Sequence, residues 1–136
     1  MLTRMKELMA DRRDFGLETT LSGRSYVRIF SEMKELGYRI ALFFLWLPTD
    51  DLAVTRVAIR VRQGGHDVPT ADIRRRFIVG LSNFFNLYCP LVDSWWLYDA
   101  SRLPPIRIAA MENRTVQIDD PVLYAQIRSQ ITGTKP

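Results

Sequence analysis

The eleven residues YRIALFFLWLP, Tyr38 to Pro48, constrain this fold more than any other stretch. Arg39 is the only charged residue among them, and Pro48 closes the run. The apolar part, Ile40 to Leu47, is far short of the roughly 20 residues a bilayer span needs. Its length suits a β-strand. The near absence of apolar–polar alternation predicts burial on both faces, as in a parallel sheet covered by helices. A parallel strand needs crossover connections, so the flanking sequence has to supply helices.

It does so on both sides. Met1 to Arg13 places Leu2, Met5, Leu8 and Met9 at helical spacing. Ser25 to Leu36 carries Val27, Phe30, Met33 and Leu36 on one stripe, with Gly37 as its stop. Between them FGLET reads as a short strand ending at Thr19 and Thr20. After the apolar run, Thr49 is the candidate N-cap of a third helix, with Asp50 and Asp51 where the helix dipole favours anions. Val54, Val57, Ala58 and Val61 are expected to face inward, and Gly64–Gly65 to end that helix. Thr70 is expected to cap a fourth, whose stripe runs through Ile73, Phe77, Leu81, Phe84, Tyr88 and Leu91 until Pro90 kinks or stops it. SWWLYDAS reads as a strand, PPIRIAAMENRTVQI as a hairpin turning at Glu112 to Arg114, and Pro121 to Ile131 as a last helix. The order predicts a single α/β domain over 1–136, with ligands beyond the carboxyl ends of its strands. Glu18 to Ser22, Pro48 to Asp51 and Asp99 to Arg102 are the segments expected around that crevice.

Composition narrows the chemistry. One cysteine, Cys89, excludes an internal disulfide and a cysteine-based metal site, and one histidine argues against zinc. The charged N-terminus lacks the apolar core of a signal peptide, so a cytoplasmic protein without a membrane partner is expected. The net charge is +4, and among the 19 basic residues only Lys6, Lys34 and Lys135 are lysine. Arginine's planar fork suits phosphate; a GC-rich genome would give the same bias. The arginines crowd one place: RVRQGGHDVPTADIRRRF sets Arg60, Arg62, Arg74, Arg75 and Arg76 around a glycine turn. Their ordinary reading is a solvated helix end with ion pairs to Asp67 and Asp72; the functional one is an anion held by a closing segment. Three consecutive arginines fan through about 200° of a helix, so they cannot all reach one ligand. Clustering at one turn, without a stripe of exposed aromatics, argues against nucleic acid. His66 reads as a polar turn residue and Asp99 as a crevice carboxylate or a turn cap. Trp46, Trp95, Trp96 and Phe84–Phe85 read as core or interface aromatics, and Cys89 as an inert apolar thiol.

FGLETTLSGRSY, GYRIALFFLWLP, RVRQGGHDVP with IRRRF, and LYDAS stand in an order and spacing that resemble the zeta toxin family of P-loop kinases, over about Phe15 to Arg107. The resemblance implies a P-loop-kinase-like three-layer sandwich with a mainly parallel sheet, followed here by a C-terminal hairpin and helix. It implies an ATP- and Mg-dependent phosphotransferase acting on UDP-N-acetylglucosamine. Glu18 and Thr20 match the family's substrate-binding positions. Arg56, Arg60 and Arg62, with Arg74 to Arg76 from the far side, match the basic residues of a lid spanning about 60–76. Within that set Arg60, Arg62 and Arg74 are the expected catalytic residues, and Gly64 and Gly65 the lid hinge. Arginines brought in by such a lid would stabilise the charge that spreads over a transferring phosphoryl group.

The family also begins with a strand and a G-x-x-x-x-G-K-[ST] loop that cradles phosphate, followed by an acidic general base. Neither is here, and none of the three lysines lies in such a context. In the family's strand order 2-3-1-4-5 the missing first strand is the central one, so the chain reads as an incomplete domain, truncated at its N-terminus. It is expected to bind ATP poorly, to use no cofactor by itself and not to turn over alone. The rival expectations are a non-catalytic module holding a nucleotide or UDP-sugar, and an interaction protein whose open sheet edge pairs with a partner such as an antitoxin or a second copy.

Overall fold

The computed structural model describes residues 2–65 and 68–132, so His66 and Asp67 lie outside the described residues. The elements run α1 (Leu2–Ala10), α2 (Ser25–Glu35), β1 (Ala41–Trp46), α3 (Asp50–Arg62), α4 (Thr70–Asn83), β2 (Ser94–Asp99), β3 (Ile106–Glu112), β4 (Thr115–Ile118) and α5 (Pro121–Thr132). The fold is mixed α/β.

Local chemistry explains most boundaries. Met5 and Met9, four residues apart on one face of α1, are both buried. Ile29, Phe30 and Met33 bury one side of α2. Gly37 ends that helix at φ +89, with Gly37 N–H bonding the Lys34 carbonyl and Tyr38 N–H the Met33 carbonyl. That crossed pair is the helix stop for which glycine is suited. Thr49 caps α3 as expected, its Oγ1 accepting from Leu52 N–H at 3.3 Å. Thr70 does not cap α4. Pro69 holds the N-cap position without a side-chain bond, because the residue after a fixed proline φ is already helical.

The four strands form one open sheet in the order β1-β2-β3-β4. β1 and β2 are parallel, Ala41 facing Ser94 and Trp46 facing Asp99. β2/β3 and β3/β4 are antiparallel, with an irregularity between Leu97 and Tyr98. The sheet is therefore mixed, and the expectation of a mainly parallel one is corrected: β3 and β4 return as a hairpin and leave β1/β2 as the parallel pair. The hairpin turns at Asn113 and Arg114, both at positive φ, the backbone that matches the twist of paired strands.

Two further corrections concern strands. FGLET is not a strand: residues 13–24 lie outside any helix or sheet. β1 is not buried on both faces. It is an edge strand, and Phe43 and Leu45 are each 59% exposed. Its apolar run reads as doubly buried because Leu42, Phe44 and Trp46 pack inward while Phe43 stacks on Trp96 of β2 at 4.7 Å.

The core lies between the inner sheet face and α1, α2, α4 and α5. α4 continues past Asn83 as a π-turn, Phe84–Tyr88, with Cys89 N–H bonding the Phe84 carbonyl at 2.8 Å, before Pro90 stops it. Phe84 is fully buried and meets the rings of Phe44, Phe85 and Trp95. α3 buries no residue fully, contrary to the expected inward stripe: Val54, Val57 and Val61 are half-buried and Ala58 is exposed, because α3 leans on α4 and not on the sheet. Asp93 joins α2 to the sheet, accepting from Ile40 N–H and from Lys34 Nζ, both at 2.7 Å. The Lys34 ammonium holds that carboxyl below its usual range.

Gly80 lets residues 19–23 lie directly on α4. A Cβ there would stand 2.3 Å from the Thr20 carbonyl oxygen. Glycine-to-alanine inside a helix ordinarily gains up to about 1 kcal/mol. Gly80→Ala is expected instead to destabilise by about 1–3 kcal/mol in urea unfolding, while Gly16→Ala, in open space, changes stability by less than about 0.5 kcal/mol. A stabilised Gly80→Ala would contradict this packing.

Candidate functional site

The arginine-rich turn begins where α3 ends. Gly64 sits at φ +93, and Gly65 N–H bonds the Arg60 carbonyl at 2.8 Å. A Cβ on Gly65 would come within 2.9 Å of that carbonyl. Both glycines are thus required by the helix stop itself.

The arginines divide by what they touch. Arg74 ion-pairs with Asp50 at 2.9 Å and Asp51 at 2.7 Å, joining the first turn of α4 to the first turn of α3. Its guanidinium is held above its usual range, first by Asp51 and then by Asp50. Arg75 stands 3.9 Å from Asp72 on its own helix. Arg56 donates to the Ala100 carbonyl just beyond β2, which lays α3 across the carboxyl ends of the parallel strands. Arg60, one turn further on the same face as Arg56, is exposed and ion-pairs with none of the described residues. Arg62 is equally exposed, but two residues later it points about 200° away from Arg60.

Asp99, at the end of β2, is buried and accepts from Ser101 N–H at 3.0 Å and Ser101 Oγ at 2.6 Å, with Arg102 4.0 Å away. It caps its own turn. Trp46, ending β1, is buried, and its indole N–H has no acceptor among the described residues.

Glu18 and Thr20 are both exposed. Thr20 Oγ1 lies 2.9 Å from Ser22 Oγ, and Thr19 Oγ1 accepts from Leu21 N–H at 3.1 Å. Leu21 has φ +57. No hydrogen bond or ion pair among the described residues joins Glu18 or Thr20 to Arg60, Arg62 or Arg74. They are related through α4: Gly80 backs Thr20 and Arg74 holds Asp50 and Asp51, about 9 Å apart along the helix axis. The groups that anchor this segment are ones sequence reasoning missed. Asn83 Nδ2 donates to the Leu21 carbonyl at 2.7 Å, and the Tyr88 hydroxyl to the Gly23 carbonyl at 2.6 Å. A glycine inside a helix and an asparagine three residues on, beside an apolar stripe, are the signals that could have found them.

On the other side of residues 12–19 a groove of about 740 Å³ opens toward β1, lined by Phe15, Leu17, Phe30, Met33, Leu42 and Phe43 among others. Among the described residues no cluster of three His, Cys, Asp or Glu is placed to hold a metal. No described helix is long and apolar enough to cross a membrane.

Comparison with known proteins adds one relative. An uncharacterized protein of Haemophilus influenzae is 29% identical over 63 residues, which is 46% of this chain. The match spans 45% of that protein's own length. No family model matches the chain, and no solved structure matches it.

Cys89 is half-buried, and burial pushes its thiol up to about 12. The nucleophilic form is the thiolate, which is scarce well below that pKa. Cys89 is therefore expected to react with Ellman's reagent at pH 8 far more slowly in the folded chain than in urea. Rapid native labelling would contradict the burial.

Proposed function

We propose that this chain is a zeta-toxin-like, P-loop-kinase-like domain that holds a nucleotide or UDP-sugar at the carboxyl end of its parallel strands without transferring phosphate. What supports the fold part is the parallel β1/β2 pair, joined by a crossover through α3 and α4 that starts at the carboxyl end of β1. What carries the binding part is Arg56: its bond to the Ala100 carbonyl sets α3 over the strand ends, and Arg60, on the same face, is exposed and ion-pairs with none of the described residues. Arg74, engaged by Asp50 and Asp51, is a brace of the helix pair in this reading.

Among the described residues no lysine is placed to cradle the phosphates of Mg-ATP. Lys34 is tied to Asp93, and Lys6 is exposed on the outer side of α1. No phosphoryl-transfer step is assigned to these residues, and Glu18 and Thr20 remain substrate contacts by resemblance only.

Calorimetric titration with UDP-N-acetylglucosamine and with Mg-ATP tests the reading. Saturable binding of the sugar nucleotide is expected, weakened roughly tenfold or more by Arg60→Ala, the scale of a charge-assisted hydrogen bond. Arg62→Ala, on the opposite face, is expected to bind like the parent. No binding of either ligand, or equal losses in both variants, would overturn it.

A further inference from the structure

The two parallel strands end side by side, with Trp46 of β1 facing Asp99 of β2. Both residues turn to the helix-covered face: Trp46 is 4% exposed and Asp99 9%. Partnered residues on one face of a sheet are neighbours, because adjacent strands lie about 4.8 Å apart. These two nevertheless do not satisfy each other. The Trp46 indole N–H has no acceptor among the described residues. Asp99 commits Oδ1 to Ser101 N–H and Ser101 Oγ, while Oδ2 accepts no hydrogen bond among the described residues and has Arg102 only at 4.0 Å.

A buried N–H and a buried carboxylate oxygen each cost free energy until they are paired. The indole only donates and the ionised carboxyl only accepts. A hydroxyl answers both, since one oxygen accepts from the first and donates to the second. A bare anion is repelled by Asp99, and a cation gains nothing from the indole N–H. The position also suits a ligand. Arg56 lays α3 across these strand ends through the carbonyl of Ala100, the residue after Asp99, and α3 buries none of its own residues fully. Arg60 stands one turn along the same face, about 6 Å further on. A hydroxyl at Trp46 and Asp99 and an anionic group at Arg60 thus fall within one sugar phosphate.

Resting on the anion reading above, we infer that Trp46 and Asp99 form its hydroxyl subsite. The indole N–H donates to a sugar hydroxyl of the bound nucleotide, and that hydroxyl donates in turn to Asp99 Oδ2. Water makes the same two bonds, so a ligand hydroxyl replaces it without loss of hydrogen bonding. Arg60 recognises charge, and this pair recognises the sugar. Ribose and hexose hydroxyls share that chemistry, and the choice of ligand separates them.

The test is a heteronuclear NMR titration of the full chain with UDP-N-acetylglucosamine, with UDP and with sulfate, the Trp46 indole resonance being assigned through Trp46→Phe. Saturable movement of that resonance is expected with the sugar nucleotide. Movement with UDP as well assigns the hydroxyl to the ribose; movement with the sugar nucleotide alone assigns it to the hexose. Sulfate, an anion without a hydroxyl, is expected to leave it in place. Trp96, on the opposite face and stacked on Phe43, is the internal control. Asp99→Asn is expected to weaken binding of the sugar nucleotide about tenfold, the scale of a hydrogen bond to a charged group; if that variant does not fold, the parent's indole resonance decides. Binding that leaves the Trp46 resonance in place, moves Trp96 equally or is unchanged in Asp99→Asn overturns this inference and leaves the anion reading standing, as does movement of Trp46 with sulfate. Absence of saturable shifts with either nucleotide overturns both.

Discussion

The contact on which the rest of the arrangement depends is the seat of residues 19–23 on α4. Gly80 and Asn83 share a face of that helix because they are three residues apart. The following π-turn closes over five residues, which brings Tyr88 round toward the same side. One helix thus offers a flat spot for the Thr20 carbonyl and donors for those of Leu21 and Gly23. The two bonds satisfy carbonyls that would otherwise be left without a partner, each worth about 1 kcal/mol net and more if a buried donor were orphaned. The segment's end is fixed there and its start is fixed by Tyr38, and the intervening stretch makes no backbone pairing with any described strand.

That restraint bears on both the groove and the arginine face. On one side it leaves the groove along β1 open. On the other it places Thr20 to Gly23 against the same helix whose first turn is locked to α3 by Arg74. α3 in turn is set over the strand ends by Arg56, so the arginine face and the groove are separate consequences of one scaffold. Arg60 continues the Arg56 face, whereas Arg62 turns away, a distinction invisible in the linear motif.

Much of this was legible in the sequence where a local rule acts alone. The helical stripes of α1 and α2, the Thr49 cap, the glycine stop after α3, the Asn113–Arg114 turn and strand β2 follow from periodicity and turn chemistry. The misses share a cause, namely partners distant in sequence. FGLET has strand-like composition, but a strand is defined by pairing and its neighbour is a groove. The apolar run of β1 could not reveal which residues lie at an edge, since Phe43 covers itself with Trp96. The hairpin of β3 and β4 was foreseen, yet not that it would make the sheet mixed. Arg74 was expected at a ligand, and its ion pairs to Asp50 and Asp51 cross 24 residues that no spacing rule spans. The Glu18 and Thr20 assignment rests on resemblance, as their surroundings contain no ligand-directed contact of their own.

Amide hydrogen exchange of the chain, read residue by residue, tests most directly the central claim that residues 15–19, anchored at both ends, leave the edge of β1 unpaired. The account predicts an alternating pattern in β1, with Leu42, Phe44 and Trp46 protected and Ala41, Phe43 and Leu45 exchanging quickly, as do residues 15–19. Uniform protection along β1, or protection at residues 15–19, would mean that the stretch closes onto the sheet edge and that the groove does not exist.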